Sequence, residues 1–87
     1  MFMIEKLEIF KKKLLYRATY RGTKELDILL TNFVKKYINK LNDKELNDLQ
    51  NFLELDDEEI INYYHNDIIN DKIKKNSISK IFKDFKL

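Results

Sequence analysis

The sequence predicts an all-α fold, a compact single domain of about five helices over residues 1–87. The chain contains no Pro and only one Gly, so little besides polar capping residues interrupts helices. Apolar residues recur at spacings of three and four, which is the period of one helix face. A hydrophobic fraction of 44% against 37% charged residues allows one core with a charged exterior.

Gly22 separates the first two predicted helices. The first, about residues 4–19, has an apolar stripe of Ile4, Leu7, Phe10, Leu14 and Ala18. The second, about residues 23–41, has the most regular pattern, formed by Leu26, Leu29, Leu30, Phe33, Val34, Tyr37, Ile38 and Leu41. Gly22 is predicted to be the corner of this helical hairpin, because Gly accepts a positive φ or a tight turn without strain.

Two capping patterns predict the next two helices. Asn42 is followed three residues later by Glu45, and Asp56 by Glu59. At this spacing the first side chain caps the backbone N–H groups at the start of a helix, and the glutamate accepts the N–H of the capping residue. The third helix should end near Leu55. The apolar residues of these two helices are Leu46, Leu49, Phe52, Leu53, Ile60, Ile61, Tyr63 and Tyr64.

The last segment breaks near Asn76 and Ser77, where Ser77 is predicted to cap a short final helix. Its apolar residues are Ile68, Ile69, Ile73, Ile78, Ile81, Phe82 and Phe85. We find no internal repeat and no second domain.

Several site types are disfavoured by composition. The chain has no Cys, so thiolate metal sites and a cysteine nucleophile are excluded, and its single His, His65, cannot form a multi-histidine metal site. We therefore expect no enzyme activity, no catalytic residues and no metal. His65 is expected to be an ordinary residue in the last turn of the fourth helix, where an imidazolium suits the negative helix end.

No apolar run approaches the roughly 18 residues that span a bilayer, and residues 1–13 lack the apolar stretch of a signal peptide. Glu5 and Glu8, with no Arg before Arg17, disfavour a mitochondrial transit peptide. We expect a cytoplasmic bacterial protein without membrane insertion, and a monomer when free.

Charge is distributed unevenly along the chain. Residues 1–24 carry seven Lys or Arg and two Glu (net +5), residues 43–67 nine acids and one Lys (net −8), and residues 72–87 six Lys and one Asp (net +5). This dipolar pattern favours an electrostatically steered protein partner. The alternative is a small helical nucleic-acid-binding protein that uses the basic N-terminal region, and the acidic segment disfavours it.

The most informative motif is Arg-Gly-x-x-Glu, at Arg21, Gly22 and Glu25, preceded by a basic and aromatic helix end and followed by a leucine-rich helix. In this context the chain resembles the SdhE family, also called the succinate dehydrogenase assembly factor 2 family. The resemblance continues through LNDKEL at residues 41–46 and LELDDEEIINYY at residues 53–64. Departures occur at Tyr20, where members commonly have a second basic residue, at Thr23, where they often have Met, and at Tyr63, where they usually have Trp.

The resemblance implies a bundle of about five helices that binds the flavoprotein subunit of succinate dehydrogenase, and in some members that of fumarate reductase. It implies that the chain promotes covalent attachment of FAD to that client by holding it in a competent arrangement, without binding FAD stably itself. The residues expected to contact this partner are Arg21, Gly22, Glu25, Arg17, Tyr16, Tyr20 and Asp27.

Each of these residues also has a structural interpretation. Arg21, with Arg17, is expected to present a planar guanidinium outward, since only two Arg occur among 17 basic residues. Two roles are open for Glu25. If Gly22 is the N-cap, Glu25 is at N3 and its carboxylate accepts the Gly22 N–H; otherwise it orients the guanidinium of Arg21 or Arg17 by a charge-assisted hydrogen bond.

The remaining candidates are aromatic or acidic. Tyr16 and Tyr20 are expected to be half-buried helix residues with solvated hydroxyls, with partner anchoring as the alternative. Asp27 either pairs with a base or remains solvated. The run Lys11 to Lys13 is expected to be a solvated face.

Overall fold

The computed structural model confirms the all-α prediction. It describes residues 2–66, 73 and 75–87, with side chains from residue 6 onward, and this part of the chain contains five helices. They are α1 (Phe2–Thr19), α2 (Lys24–Tyr37), α3 (Asp43–Leu53), α4 (Asp57–Asn66) and α5 (Ser77–Asp84).

The helices begin where short polar side chains satisfy free amides. The capping box predicted for α3 is confirmed: Asn42 Oδ1 accepts the Glu45 N–H at 2.8 Å, and Glu45 Oε1 accepts the Asn42 N–H at 3.0 Å. At α4, Glu59 Oε1 accepts the Asp56 N–H at 3.0 Å. The cap of α5 is Asn76 and not the predicted Ser77. Asn76 Oδ1 accepts the N–H of Ser79, and the Ser79 hydroxyl accepts the N–H of Asn76, which forms a capping box.

Two helices end earlier than predicted. The second ends at Tyr37 and not at Leu41, because the Lys40 N–H bonds to the Tyr37 carbonyl at 2.8 Å and the chain tightens into a turn. The third ends at Leu53 for a similar reason: the Leu55 N–H donates to a carbonyl only three residues back, at 3.2 Å. The apolar pattern continues past both ends because these turns still pack against the core.

The core contains the predicted apolar faces. The Phe33 ring lies 5.1 Å from that of Phe82 and 5.4 Å from that of Phe85, in edge-on contacts that attach α5 to α2. Tyr63 on α4 donates to the Ser79 carbonyl at 2.9 Å. The buried apolar residues are Leu14, Ala18, Leu26, Leu29, Leu30, Phe33, Val34, Leu46, Leu49, Phe52, Leu53, Leu55, Ile60, Tyr63, Ile73, Ile78, Phe82 and Phe85. The predictions for Ile68, Ile69 and the Ile4 side chain lie outside the described residues.

Candidate partner-binding site

The candidate residues all lie in the corner segment, residues 16–27, which joins the end of α1 to the start of α2. Gly22 lies between the two helices, as predicted. The N-cap of α2 is Thr23, whose hydroxyl accepts the Leu26 N–H at 3.3 Å. The hypothesis that Gly22 is the cap is therefore wrong, because the Thr hydroxyl supplies the acceptor that Gly lacks.

Arg21 points inward, which corrects the expectation that its guanidinium faces outward. Its side chain is 9% exposed, and Nε donates to Asp57 Oδ1 at 2.8 Å. Its two terminal nitrogens donate to the carbonyls of Leu53 and Leu55, each at 2.7 Å. These carbonyls belong to the end of α3, a helix with no basic residue in its own last turn. Arg21 therefore caps α3 from a distant part of the chain, which needs the planar, multidentate donor that Lys lacks.

Gly22 is favoured by a close approach and not by its backbone angles. Its φ lies outside the left-handed region, but a Cβ at this position would lie 2.7 Å from Asp57 Oδ2. The same carboxylate oxygen accepts the Gly22 N–H at 2.6 Å. Asp57 thus uses one oxygen for Arg21 and the other for Gly22, and it ties the start of α4 to the corner segment.

Asp27 and Arg17 make different contacts. Asp27 Oδ1 accepts the backbone N–H of Arg21 at 2.6 Å, so it neither pairs with a base nor remains simply solvated. The bond closes the corner from the α2 side. Arg17 is half-exposed and lies 3.5 Å from the exposed carboxylate of Glu54, a pair that contributes little to stability.

Glu25 performs neither role expected from the sequence. It binds neither guanidinium: Arg21 donates to Asp57 and to two backbone carbonyls, and Arg17 lies near Glu54. The Glu25 carboxylate lies 3.0 Å from Nε2 of His65, which is in the last turn of α4 as predicted. The Glu25 side chain is 71% exposed, so this motif acid faces solvent at the rim of the corner.

The expectation that Tyr16 and Tyr20 are half-buried is also wrong. They are 64% and 69% exposed, with ring centroids 4.5 Å apart. Tyr16 lies on the side of α1 opposite the buried Leu14 and Ala18, and Tyr20 continues that side just beyond the helix end. The two rings cover each other and leave most of their surface to solvent.

Sequence reasoning missed Asp57. Asp57 lies inside the Asp56–Glu59 capping pattern, which predicts where α4 begins and gives no role to the residues between the two acids. The only signal that distinguishes Asp57 is its pairing with a residue 36 positions earlier in the chain. A single sequence does not contain that information.

Within the described ranges, no helix combines the length and apolar character needed to cross a membrane. The same residues include no group of three or more His, Asp or Glu side chains placed to hold a metal ion. The candidate site is a polar and aromatic corner, with Tyr16, Tyr20 and Glu25 exposed at the protein surface.

Comparison with known proteins identifies the family. A family model described as the flavinator of succinate dehydrogenase, Sdh5, matches residues 12–86. The chain is 38% identical over 77 residues to the FAD assembly factor SdhE of Wigglesworthia glossinidia brevipalpis, which covers 88% of each chain. A comparison with solved structures gives no match.

Two further relatives are matched over shorter segments. The FAD assembly factor SdhE of Acetobacter pasteurianus is 38% identical over 53 residues, 61% of this chain and 49% of the relative. The mitochondrial succinate dehydrogenase assembly factor 2 of Scheffersomyces stipitis is 38% identical over 60 residues, 69% of this chain and 39% of the relative. The match thus spans less than half the length of these two relatives. Because the family model covers the corner segment and all of α2 to α5, the chain belongs to the Sdh5 family, the flavinators of succinate dehydrogenase.

Proposed function

We propose that this protein is an assembly factor that binds the flavoprotein subunit of succinate dehydrogenase and promotes its covalent flavinylation with FAD. The observation that carries the proposal is the match to the flavinator family over residues 12–86, which includes the whole Arg-Gly-x-x-Glu motif. The names of the relatives from Wigglesworthia and Acetobacter, both FAD assembly factors, support it. Nothing in these comparisons supports the nucleic-acid-binding alternative.

In this proposal the protein acts by positioning and not by chemistry of its own. Arg21 and Asp57 hold the corner segment in one arrangement, so the exposed groups on it meet the client without first being ordered. The carboxylate of Glu25 and the rings of Tyr16 and Tyr20 are the groups presented outward. A client held in the conformation in which FAD and its attachment residue are aligned reacts faster, because the alignment no longer has to be reached by chance.

FAD belongs to the client in this scheme, and the factor holds none stably. We further propose that the free protein is a monomer acting in the bacterial cytoplasm, and that the flavoprotein subunit of fumarate reductase is a second client. Sedimentation of the free protein, and of its mixture with each flavoprotein subunit, tests the stoichiometry.

Co-expression with the cognate flavoprotein subunit tests the function. We expect in-gel flavin fluorescence of the denatured client to increase when the factor is present, at equal client and FAD levels. A Glu25→Gln variant should reduce that increase while a matched exposed acid elsewhere, Asp43→Asn, does not. Equal covalent flavin with and without the factor would refute the proposal.

A further inference from the structure

The outer face of α1 exposes three large apolar or aromatic side chains. Ile9, Tyr16 and Tyr20 are 54%, 64% and 69% exposed. Their spacings of seven and four place them along one stripe, opposite the buried Leu14 and Ala18. The Tyr16 and Tyr20 rings adjoin, with centroids 4.5 Å apart, and such a cluster marks an interaction surface more often than isolated exposed residues do.

A surface pocket of about 390 Å³ is lined by Tyr20 and lies between the C-terminal end of α1 and the N-terminal half of α2. Tyr20 and Ile28, itself 44% exposed, supply its apolar walls. The polar residues that line it already have hydrogen-bond partners: the Thr31 hydroxyl donates to that of Thr19 at 3.2 Å. Asp27 Oδ1 accepts the Arg21 N–H at 2.6 Å, and the Asn32 side chain donates to the Ile28 carbonyl at 2.7 Å. The pocket therefore offers apolar contact to an incoming side chain at no cost in broken hydrogen bonds.

Exposed lysines lie near this stripe in the sequence. Lys12 and Lys13 lie within one helical turn of both Ile9 and Tyr16. They and Lys24 are exposed and make no ion pair within the part of the chain that the structure describes. Lys24 occupies the first turn of α2, where the helix macrodipole disfavours a cation. These charges are available to an acidic partner.

We propose that the aromatic stripe (Ile9, Tyr16, Tyr20 and the pocket beside Tyr20) binds an acidic segment of the client flavoprotein that carries an apolar or aromatic side chain. That side chain enters the pocket against Tyr20 and Ile28, and the flanking carboxylates face the free ammonium groups. The inference rests on the proposed function: it extends the contact surface from the corner segment along α1 to Ile9 and gives the chemistry of the client segment that binds there. Tyr is enriched at protein interfaces and among the residues that contribute most to binding, and cations at the rim of an interface accelerate association with an acidic partner.

A protein partner is favoured over a membrane or a nucleic acid. The stripe offers only two exposed aliphatic side chains within the described residues, Ile9 and Ile28, for insertion into lipid. The net charge of −8 over residues 43–67 opposes the phosphates of a long nucleic acid.

Binding of the purified flavoprotein subunit to the full-length factor, measured by biolayer interferometry at about 50 and 500 mM salt, tests the proposal. The double variant Tyr16→Ser, Tyr20→Ser should raise Kd at least about tenfold at both salt concentrations, because two anchors are lost. The triple variant of Lys12, Lys13 and Lys24 to Gln should slow association at low salt and flatten its salt dependence. A triple Gln variant at Lys75, Lys80 and Lys86 is the charge-matched control and should behave as wild type in both respects.

The outcomes separate this inference from the proposed function. Wild-type affinity in both stripe variants, with flavinylation still dependent on the factor, would overturn the stripe and leave the function standing. Wild-type factor that neither binds the subunit nor raises its covalent flavin would overturn both. Loss of binding to anionic vesicles or single-stranded RNA in the Lys variant, with client affinity unchanged, would assign the stripe to those ligands instead.

Discussion

Replacing Arg21 by Ala should destabilise the fold, because the guanidinium joins three elements. The change removes bonds from Arg21 to Asp57 and to the carbonyls of Leu53 and Leu55, all at 2.7 to 2.8 Å. Hydrogen bonds to charged groups contribute about 1.5 to 3 kcal/mol each and are not additive. Since Asp57 is 28% exposed and water can reach the vacated carbonyls, we expect a total loss of about 3 kcal/mol. For a domain of this size that lowers Tm by roughly 12 to 24 °C.

A double-mutant cycle isolates the ion pair within that total. Asp57→Ala should cost about 2 kcal/mol, and the double variant about 1 to 2 kcal/mol less than the sum of the two single changes. Urea unfolding followed by circular dichroism provides each free energy of unfolding. Arg17→Ala is the matched control, because its exposed partner Glu54 lies 3.5 Å away and the loss should stay under about 1 kcal/mol. If Arg21→Ala and Arg17→Ala unfold at the same urea concentration, the guanidinium does not hold α3 and α4 as described.

Three further predictions follow from the corner segment and its support. Gly22→Ala should lower the free energy of unfolding by about 1 to 2 kcal/mol, because the new Cβ displaces Asp57 Oδ2 from its hydrogen bond. In an Asp57→Ala background the same change should cost under about 0.5 kcal/mol, and an equal cost in both backgrounds would contradict this reason. Glu25→Gln should shift Tm by only a few degrees, because the pair with His65 is exposed, yet should reduce covalent flavin on the client; a large Tm shift would mean that Glu25 is structural. Tyr63→Phe should cost about 1 kcal/mol in urea unfolding, because its buried hydroxyl donates to an α5 carbonyl, and an unchanged midpoint would argue that water replaces that bond.

The helices and most of the core could be predicted because they depend on neighbours in sequence. The apolar period of α2 and the Asn42 capping box are local patterns, and both are found. The ends of helices were predicted less well, since a tight turn such as that after Tyr37 keeps the apolar spacing while leaving the helix.

The arrangement of the site could not be predicted because its bonds join distant residues. The pairs Arg21–Asp57 and Glu25–His65 are separated by 36 and 40 positions, and only the packing of α4 against the corner brings them together. The location of Gly22 between two helices could be predicted. The reason that glycine is favoured there could not, because the atom that a Cβ would approach is Asp57 Oδ2, at the start of α4. The exposure of Tyr16 and Tyr20 was not predicted, because the apolar spacing near a helix end is compatible with either a buried or an exposed aromatic residue.

The motif therefore separates into an inward and an outward half, and flavinylation assays must distinguish them. Arg21 and Gly22 bind Asp57, whereas Glu25 faces solvent. A loss of flavinylation in Arg21→Ala does not by itself make Arg21 a contact residue, because the groups presented on the corner lose their arrangement when its support is removed. Temperature separates the two cases. A defect that acts through stability should diminish when the assay is run well below the Tm of the variant, whereas the Glu25→Gln defect should persist at every temperature at which the fold is intact. If the Arg21→Ala variant is fully folded at low temperature and its flavinylation defect is still undiminished there, the guanidinium contacts the client.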